Sequence, residues 1–209
     1  MILLYRYGMY NLRVKRCRKS TTCCWRKGCG NFVLCDANLL GETYNLFAFP
    51  SECNFSGLRF NLDLVNSIKE GSYQMPGTSP TQSGHWMVLI DAAKGSSTCP
   101  PDLSKYKADF VVVSFYKLFG YPTGIGALIA RNESMKLLKK TYFSGGTVAA
   151  SVADIDFYQR RDGVEEYFED GTVSFLSIAS LHHGFKVLNT LTMPAIAWCH
   201  GTSSYHQHQ

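Results

Sequence analysis

Hydrophobic and polar positions fall in blocks along the middle of this chain, and each block predicts an element. Phe47-Ala-Phe49-Pro50 reads as a short strand stopped by proline. Asn54-Phe-Ser-Gly57 reads as a turn. Leu62, Leu64, Val65 and Ile68 then recur at helical spacing, with Lys69 in the last turn and Gly71 just past the end. Residues 71–84 are rich in Ser, Thr, Pro and Gly and predict a loop. The run Trp86-Met-Val-Leu-Ile90 predicts a strand closed by Asp91. A loop over 92–101 and a single helical turn over 102–106 follow.

The next two apolar runs, 110–113 and 126–130, predict strands on either side of an exposed, turn-rich loop that holds Lys117. Between Asn132 and Lys140 an N-cap candidate leads and cations trail, which is a helix signature. Ser144-Gly-Gly-Thr147 predicts a flexible loop, and 160–171 a charged segment. Phe175, Ile178, Leu181, Phe185 and Leu188 recur at spacings of three and four, predicting an amphipathic helix.

The ends lack this patterning. Residues 1–46 read as a poorly organised leader, 47–191 as a partial domain and 192–209 as a tail with His200, His206 and His208, not a metal site.

Composition narrows the class. A hydrophobic content of 45% and an aromatic content of 13% exclude a disordered chain. No apolar run approaches the roughly 20 residues a membrane span needs. The net charge of +5 belongs to one end: eight of the 21 Lys and Arg lie in residues 1–30 with no acid among them, leaving 13 against 16 acidic residues elsewhere. A basic arm there is the one place for nucleic acid or an acidic membrane to bind, and an unstructured leader is the simpler expectation. Cys17, Cys23, Cys24, Cys29 and Cys35 fit no paired zinc spacing. With no secretory signal core either, the expectation is a reduced, cytoplasmic protein without metal, membrane or nucleic-acid partner.

Candidate chemistry rests on two residues. An aspartate closing one buried strand (Asp91) and a lysine where the next strand gives out (Lys117) form the pair a pyridoxal phosphate site requires. The lysine makes a Schiff base with the aldehyde, and the carboxylate keeps the ring nitrogen protonated.

Four linked motifs then carry a resemblance: Phe49-Pro50-x3-Asn54-Phe-Ser-Gly; Leu89-Ile-Asp91-Ala-Ala; Ser114-Phe-Tyr-Lys117-x-Phe-Gly-x-Pro-Thr-Gly-x-Gly-Ala-Leu; and Arg161 through Phe168-Glu-Asp-Gly-Thr-x-Ser-Phe. From about Leu46 to Leu191 the chain resembles the aminotransferase-like domain of the eukaryotic molybdenum cofactor sulfurases, relatives of the cysteine desulfurases. The resemblance implies an α/β fold, a fragment of the large domain of a fold-type-I pyridoxal phosphate transferase, with a mainly parallel mixed sheet flanked by helices. It implies sulfur taken from L-cysteine and passed to the molybdenum cofactor of xanthine dehydrogenase and aldehyde oxidase.

By position, the resemblance makes Lys117 the catalytic Schiff-base lysine and Asp91 the ring-nitrogen partner. Ser114 falls at a phosphate-binding hydroxyl, and Thr172 at a residue that reaches the phosphate from the second subunit of a homodimer. Tyr116 stands where bacterial desulfurases have histidine, and Lys94 where they have a glutamine directed at the ring oxygen.

Residues 1–46 match nothing of the family's first phosphate loop and ring-stacking histidine, and its persulfide-carrying cysteine loop is unmatched. The expectation is therefore a partial chain that is poor or inactive as a sulfurase by itself. The alternatives are a catalytically silent fragment that dimerises with the full-length enzyme, or another class V enzyme such as a selenocysteine lyase-like protein.

Overall fold

Strands whose two faces are both covered need apolar residues on both, and the central runs of this chain supply them. The computed structural model describes residues 2–6, 30–32, 44–72, 85–121, 124–138 and 143–205. One six-stranded sheet contains β1 (Ile2–Arg6), β2 (Gly30–Phe32), β3 (Tyr44–Pro50), β4 (His85–Asp91), β5 (Phe110–Ser114) and β6 (Ile125–Ala130), in the order β1-β6-β5-β4-β3-β2. β3, β4 and β5 pair in parallel, whereas β2, β6 and β1 run antiparallel to their neighbours. The fold is α/β with a mixed sheet, as expected. Parallel pairing is confined to the three central strands, narrower than "mainly parallel".

Alternation along those strands sorts the core onto two faces. Phe47, Val88, Ile90 and Val111 meet Val65 and Ile68 of α1 (Asp63–Lys69) on one side. Leu46, Met87 and Phe110 meet Met135 of α3 (Asn132–Met135) on the other, where Val164 and Phe168 of α4 (Val164–Phe168) pack against them. Fully buried side chains such as Val88 and Ile90 each contribute on the order of 1.5–3 kcal/mol. A third cluster joins Phe115 of α2 (Phe115–Phe119) and Ile125 and Ala127 of β6 to Leu181 of α5 (Phe175–Leu191).

Several expectations need correction. Lys117 does not lie in an exposed loop: the segment after Ser114 forms α2. Phe115 and Phe119, four apart and so on one face, pack against Phe185 of α5 with ring centroids 6.0 and 5.5 Å away. α3 spans four residues, and Arg131 rather than Asn132 occupies its N-cap. Ser144–Thr147 is a hydrogen-bonded turn around a buried Thr147, not a flexible loop. The charged stretch contains α4, and ahead of it an unpredicted hairpin pairs β7 (Val148–Val152) with β8 (Phe157–Arg160). Along α5 only Leu181 of the apolar stripe is buried, and Phe175 and Phe185 stay exposed.

The ends also hold more order than their patterning suggested. β1 and β2 join the main sheet, and Met193–Tyr205 forms helix α6. Thr192, at φ 64°, separates α5 from α6. Cys17, Cys23, Cys24, Cys29 and Cys35, most of the 71–84 loop, His206 and His208 lie outside the described residues. Among the described residues no helix is long and apolar enough to cross a membrane.

Candidate active site at the ends of the parallel strands

The three parallel strands finish side by side. Pro50 pairs with Asp91 and Asp91 with Val112, so β3, β4 and β5 deliver their following residues to one edge. Pro50 has no N–H, and the next residue takes over the ladder: Ser51 N donates to the Asp91 carbonyl at 2.9 Å. In open α/β sheets the carboxyl ends of parallel strands are where ligands bind.

Lys117 stands in α2, one turn beyond β5, and its Nζ donates to Asn54 Oδ1 at 2.9 Å. Asn54 lies in the loop after β3, closed by Cys53 N to Leu58 O at 2.8 Å and Gly57 N to Cys53 O at 3.0 Å. Asp91 is exposed at the end of β4, and its Oδ1 accepts the Ala93 N–H at 3.0 Å. Ser114 closes β5 fully buried, and among the described residues its Oγ has no hydrogen-bond partner. A buried hydroxyl left unpaired costs about 1–3 kcal/mol and marks a place where a partner is missing.

Three of the four expected site residues, Lys117, Asp91 and Ser114, thus share one edge of the sheet. Thr172 stands apart. It is exposed and follows Gly171, whose N–H donates to the Gly145 carbonyl at 2.7 Å. A side chain on Gly146 (φ 90°) would stand 2.9 Å from the Gly171 carbonyl, so this turn needs glycine. Ser144 and Thr147 both donate to Asp170 Oδ1, at 2.9 and 3.3 Å, which locks the turn beside Thr172. Tyr116 is exposed on α2, and Lys94 pairs with Glu52 at 3.7 Å.

Sequence reasoning missed the contacts of Asn54 with Lys117 and of Glu52 with Lys94. Asn54 lies within the Phe49-Pro50-x3-Asn54-Phe-Ser-Gly motif, where the local sequence predicts only a turn. Its contact with Lys117 spans 63 positions and has no local signature.

The fold and this strand-end arrangement define a class, and comparison with known proteins agrees. The aminotransferase class-V family model matches residues 79–208, and the chain belongs to that family. It is 70% identical to "Molybdenum cofactor sulfurase" of Arabidopsis thaliana over 164 residues, 78% of this chain and 20% of that protein. The protein of the same name from Oryza sativa subsp. japonica is 56% identical over 190 residues, 91% of this chain and 22% of its own length. The Homo sapiens protein of that name is 50% identical over 148 residues, 71% of this chain and 16% of that protein. The chain therefore spans about a fifth of the curated relatives it matches. Among solved structures, the Escherichia coli cysteine desulfurase CsdA superposes with a TM-score of 0.58 at 20% identity, covering 72% of this chain and 34% of that one. The cysteine desulfurase of Thermococcus onnurineus NA1 gives 0.56 at 23% identity, with 71% and 34% covered. These two likenesses concern the fold.

Proposed function

We propose that this chain carries the anchoring residues of a pyridoxal phosphate site belonging to a molybdenum cofactor sulfurase. L-cysteine would be the sulfur donor and the molybdenum cofactor the acceptor. The observation that supports the reading is that Asp91 and Ser114 close neighbouring parallel strands, with Lys117 three residues beyond Ser114 and, among the described residues, no partner on the Ser114 hydroxyl. The residues fit the group. Lys117 would hold it covalently through Nζ, Asp91 would keep a proton on the ring nitrogen, and the Ser114 hydroxyl would donate to the phosphate.

When bound, pyridoxal phosphate supplies an electron sink for bonds broken at the substrate's carbons. The chain's own residues orient and move protons around it. Asn54 Oδ1 aims the Lys117 nitrogen, which as a neutral amine would be placed to carry a proton. Asp91 accepts one backbone N–H and retains acceptor capacity for a ring N–H. Thr172, on its locked turn, is the residue we assign to the phosphate of a second copy in a homodimer. The 70% identity to the plant sulfurase favours this over a selenocysteine lyase-like activity.

The test is direct. Purified chain titrated with pyridoxal phosphate should develop a visible absorbance band, and borohydride should fix the group to Lys117. Lys117→Ala should abolish both. A wild-type chain that takes up none of the cofactor overturns the proposal.

A further inference from the structure

Asn54 reaches Lys117 from the tip of a small loop whose stem is a pair of short arms. Phe60 N donates to the Ser51 carbonyl at 3.0 Å and Cys53 N to the Leu58 carbonyl at 2.8 Å, while Glu52 bridges Arg59 in antiparallel pairing between them. Gly57 N donates to the Cys53 carbonyl at 3.0 Å and folds the tip back on itself. These backbone bonds fix the shape of the loop. Its direction relative to the neighbouring segments depends on side chains.

Glu52 supplies that restraint. Its carboxylate is almost fully buried, and it meets Arg59 Nε at 3.5 Å within the stem. It also accepts the Thr98 hydroxyl at 3.2 Å and lies 3.7 Å from Lys94 Nζ. Arg59 Nη2 donates to the same Thr98 hydroxyl at 3.0 Å. Lys94 and Thr98 flank the 3₁₀ turn Gly95–Ser97, so one carboxylate ties the stem to both ends of that turn. A carboxylate withdrawn from water holds such partners firmly, because losing one leaves charge uncompensated.

The turn is also in direct contact with the stem and with the helix that bears Lys117. A side chain at Gly95 would overlap the Ser51 hydroxyl, and the turn packs against α2. Stem, turn and α2 therefore form one stack, with Asn54 at one end of it and Lys117 at the other. The contact that closes the stack is the 2.9 Å hydrogen bond from Lys117 Nζ to Asn54 Oδ1. We propose that Glu52 is a positioning residue for Lys117: by fixing the stem on the 3₁₀ turn it holds the Asn54 oxygen on Lys117 Nζ and so presents that nitrogen for Schiff-base formation. This rests on the reading of Lys117 as the Schiff-base lysine.

The experiment measures how fast Lys117 is methylated by trace formaldehyde and borohydride in the cofactor-free full chain, read by mass spectrometry. Lys69, whose Nζ is held by Asp109, is the internal standard. Asn54→Ala removes the acceptor and should raise Lys117 labelling relative to Lys69 by about threefold or more. Glu52→Gln should raise it by about twofold or more, although Asn54 is still present. In the Asn54→Ala background Glu52→Gln should add nothing, because its effect passes through Asn54. An unmoved Lys117 in either single variant overturns the proposal. So does a further rise in the double variant, or a rise that Lys69 shares, which would mean general loosening. Should Glu52→Gln fail to fold, Thr98→Val, which removes one partner of the carboxylate on the turn, decides by the same criteria. Pyridoxal phosphate uptake by the wild-type chain tests the reading of Lys117 separately.

Discussion

Two aspartates in this sheet have opposite surroundings. Asp109, just ahead of β5, is buried and saturated: Lys69 Nζ donates to both oxygens at 2.9 and 3.0 Å, Ser134 Oγ adds a bond at 3.0 Å, and Val88 N one at 2.7 Å. Asp91, at the end of β4, is exposed and accepts one N–H. Asp109 ties α1, α3 and two strands together and has nothing left to offer a ligand. Asp91 keeps its capacity. A charge fully satisfied from within serves the fold, whereas an exposed one with acceptor capacity to spare is open to a ligand.

The strongest challenge to that contrast is a pair of alanine substitutions. Asp109→Ala should lower the unfolding free energy by about 3–5 kcal/mol, since it strands a partly buried lysine and a backbone donor. Asp91→Ala should change it by no more than about 0.5 kcal/mol while removing pyridoxal phosphate binding. Urea unfolding and an absorbance titration give both numbers, and equal destabilisation would erase the distinction.

Gly95→Ala comes next in size. Its methyl group collides with Ser51, so a loss of about 1–3 kcal/mol in urea unfolding is expected, with part recovered by adding Ser51→Gly. A neutral Gly95→Ala would show that the site loops are not tightly apposed.

Ser114→Ala should act with opposite signs on the two properties. Removing an unpaired buried hydroxyl should stabilise the cofactor-free chain by about 1 kcal/mol and weaken pyridoxal phosphate binding. Loss of stability in thermal unfolding would mean that the hydroxyl has a structural partner.

The smallest effect concerns Cys53, beside Asn54. The Ser56 side-chain hydrogen bond, followed by the backbone N–H groups of Ser56 and Phe55, holds its thiol below the usual cysteine range. Its thiolate is therefore present at lower pH than in an ordinary cysteine. Ser56→Ala should move the pH midpoint of iodoacetamide alkylation at Cys53 upward, and an unchanged midpoint would remove this hydrogen bond as the cause.

Much of this was legible in the residues because burial leaves a pattern. β3 to β6 are covered on both faces, which demands unbroken apolar runs, and α1 carries its stripe at helical spacing. The hairpin β7–β8 escaped notice because nearly every position in it is exposed, so no alternation marks it. α2 escaped because five residues are too few to show a helical period. It is Phe115 and Phe119 meeting α5 that define it, with Gly184 giving the Phe119 ring its space.

The residues alone determined the α/β class, the strand-closing Asp91 and Ser114, and the placement of Lys117 just beyond the end of β5. Each of these depends on local order along the chain, which a pattern of types can encode. Tertiary structure decided that Asn54 receives Lys117, that Glu52 takes Lys94, and that Thr172 lies on a different turn from the other three. Those contacts join positions tens of residues apart, and only the parallel pairing of β3, β4 and β5 brings them to one edge.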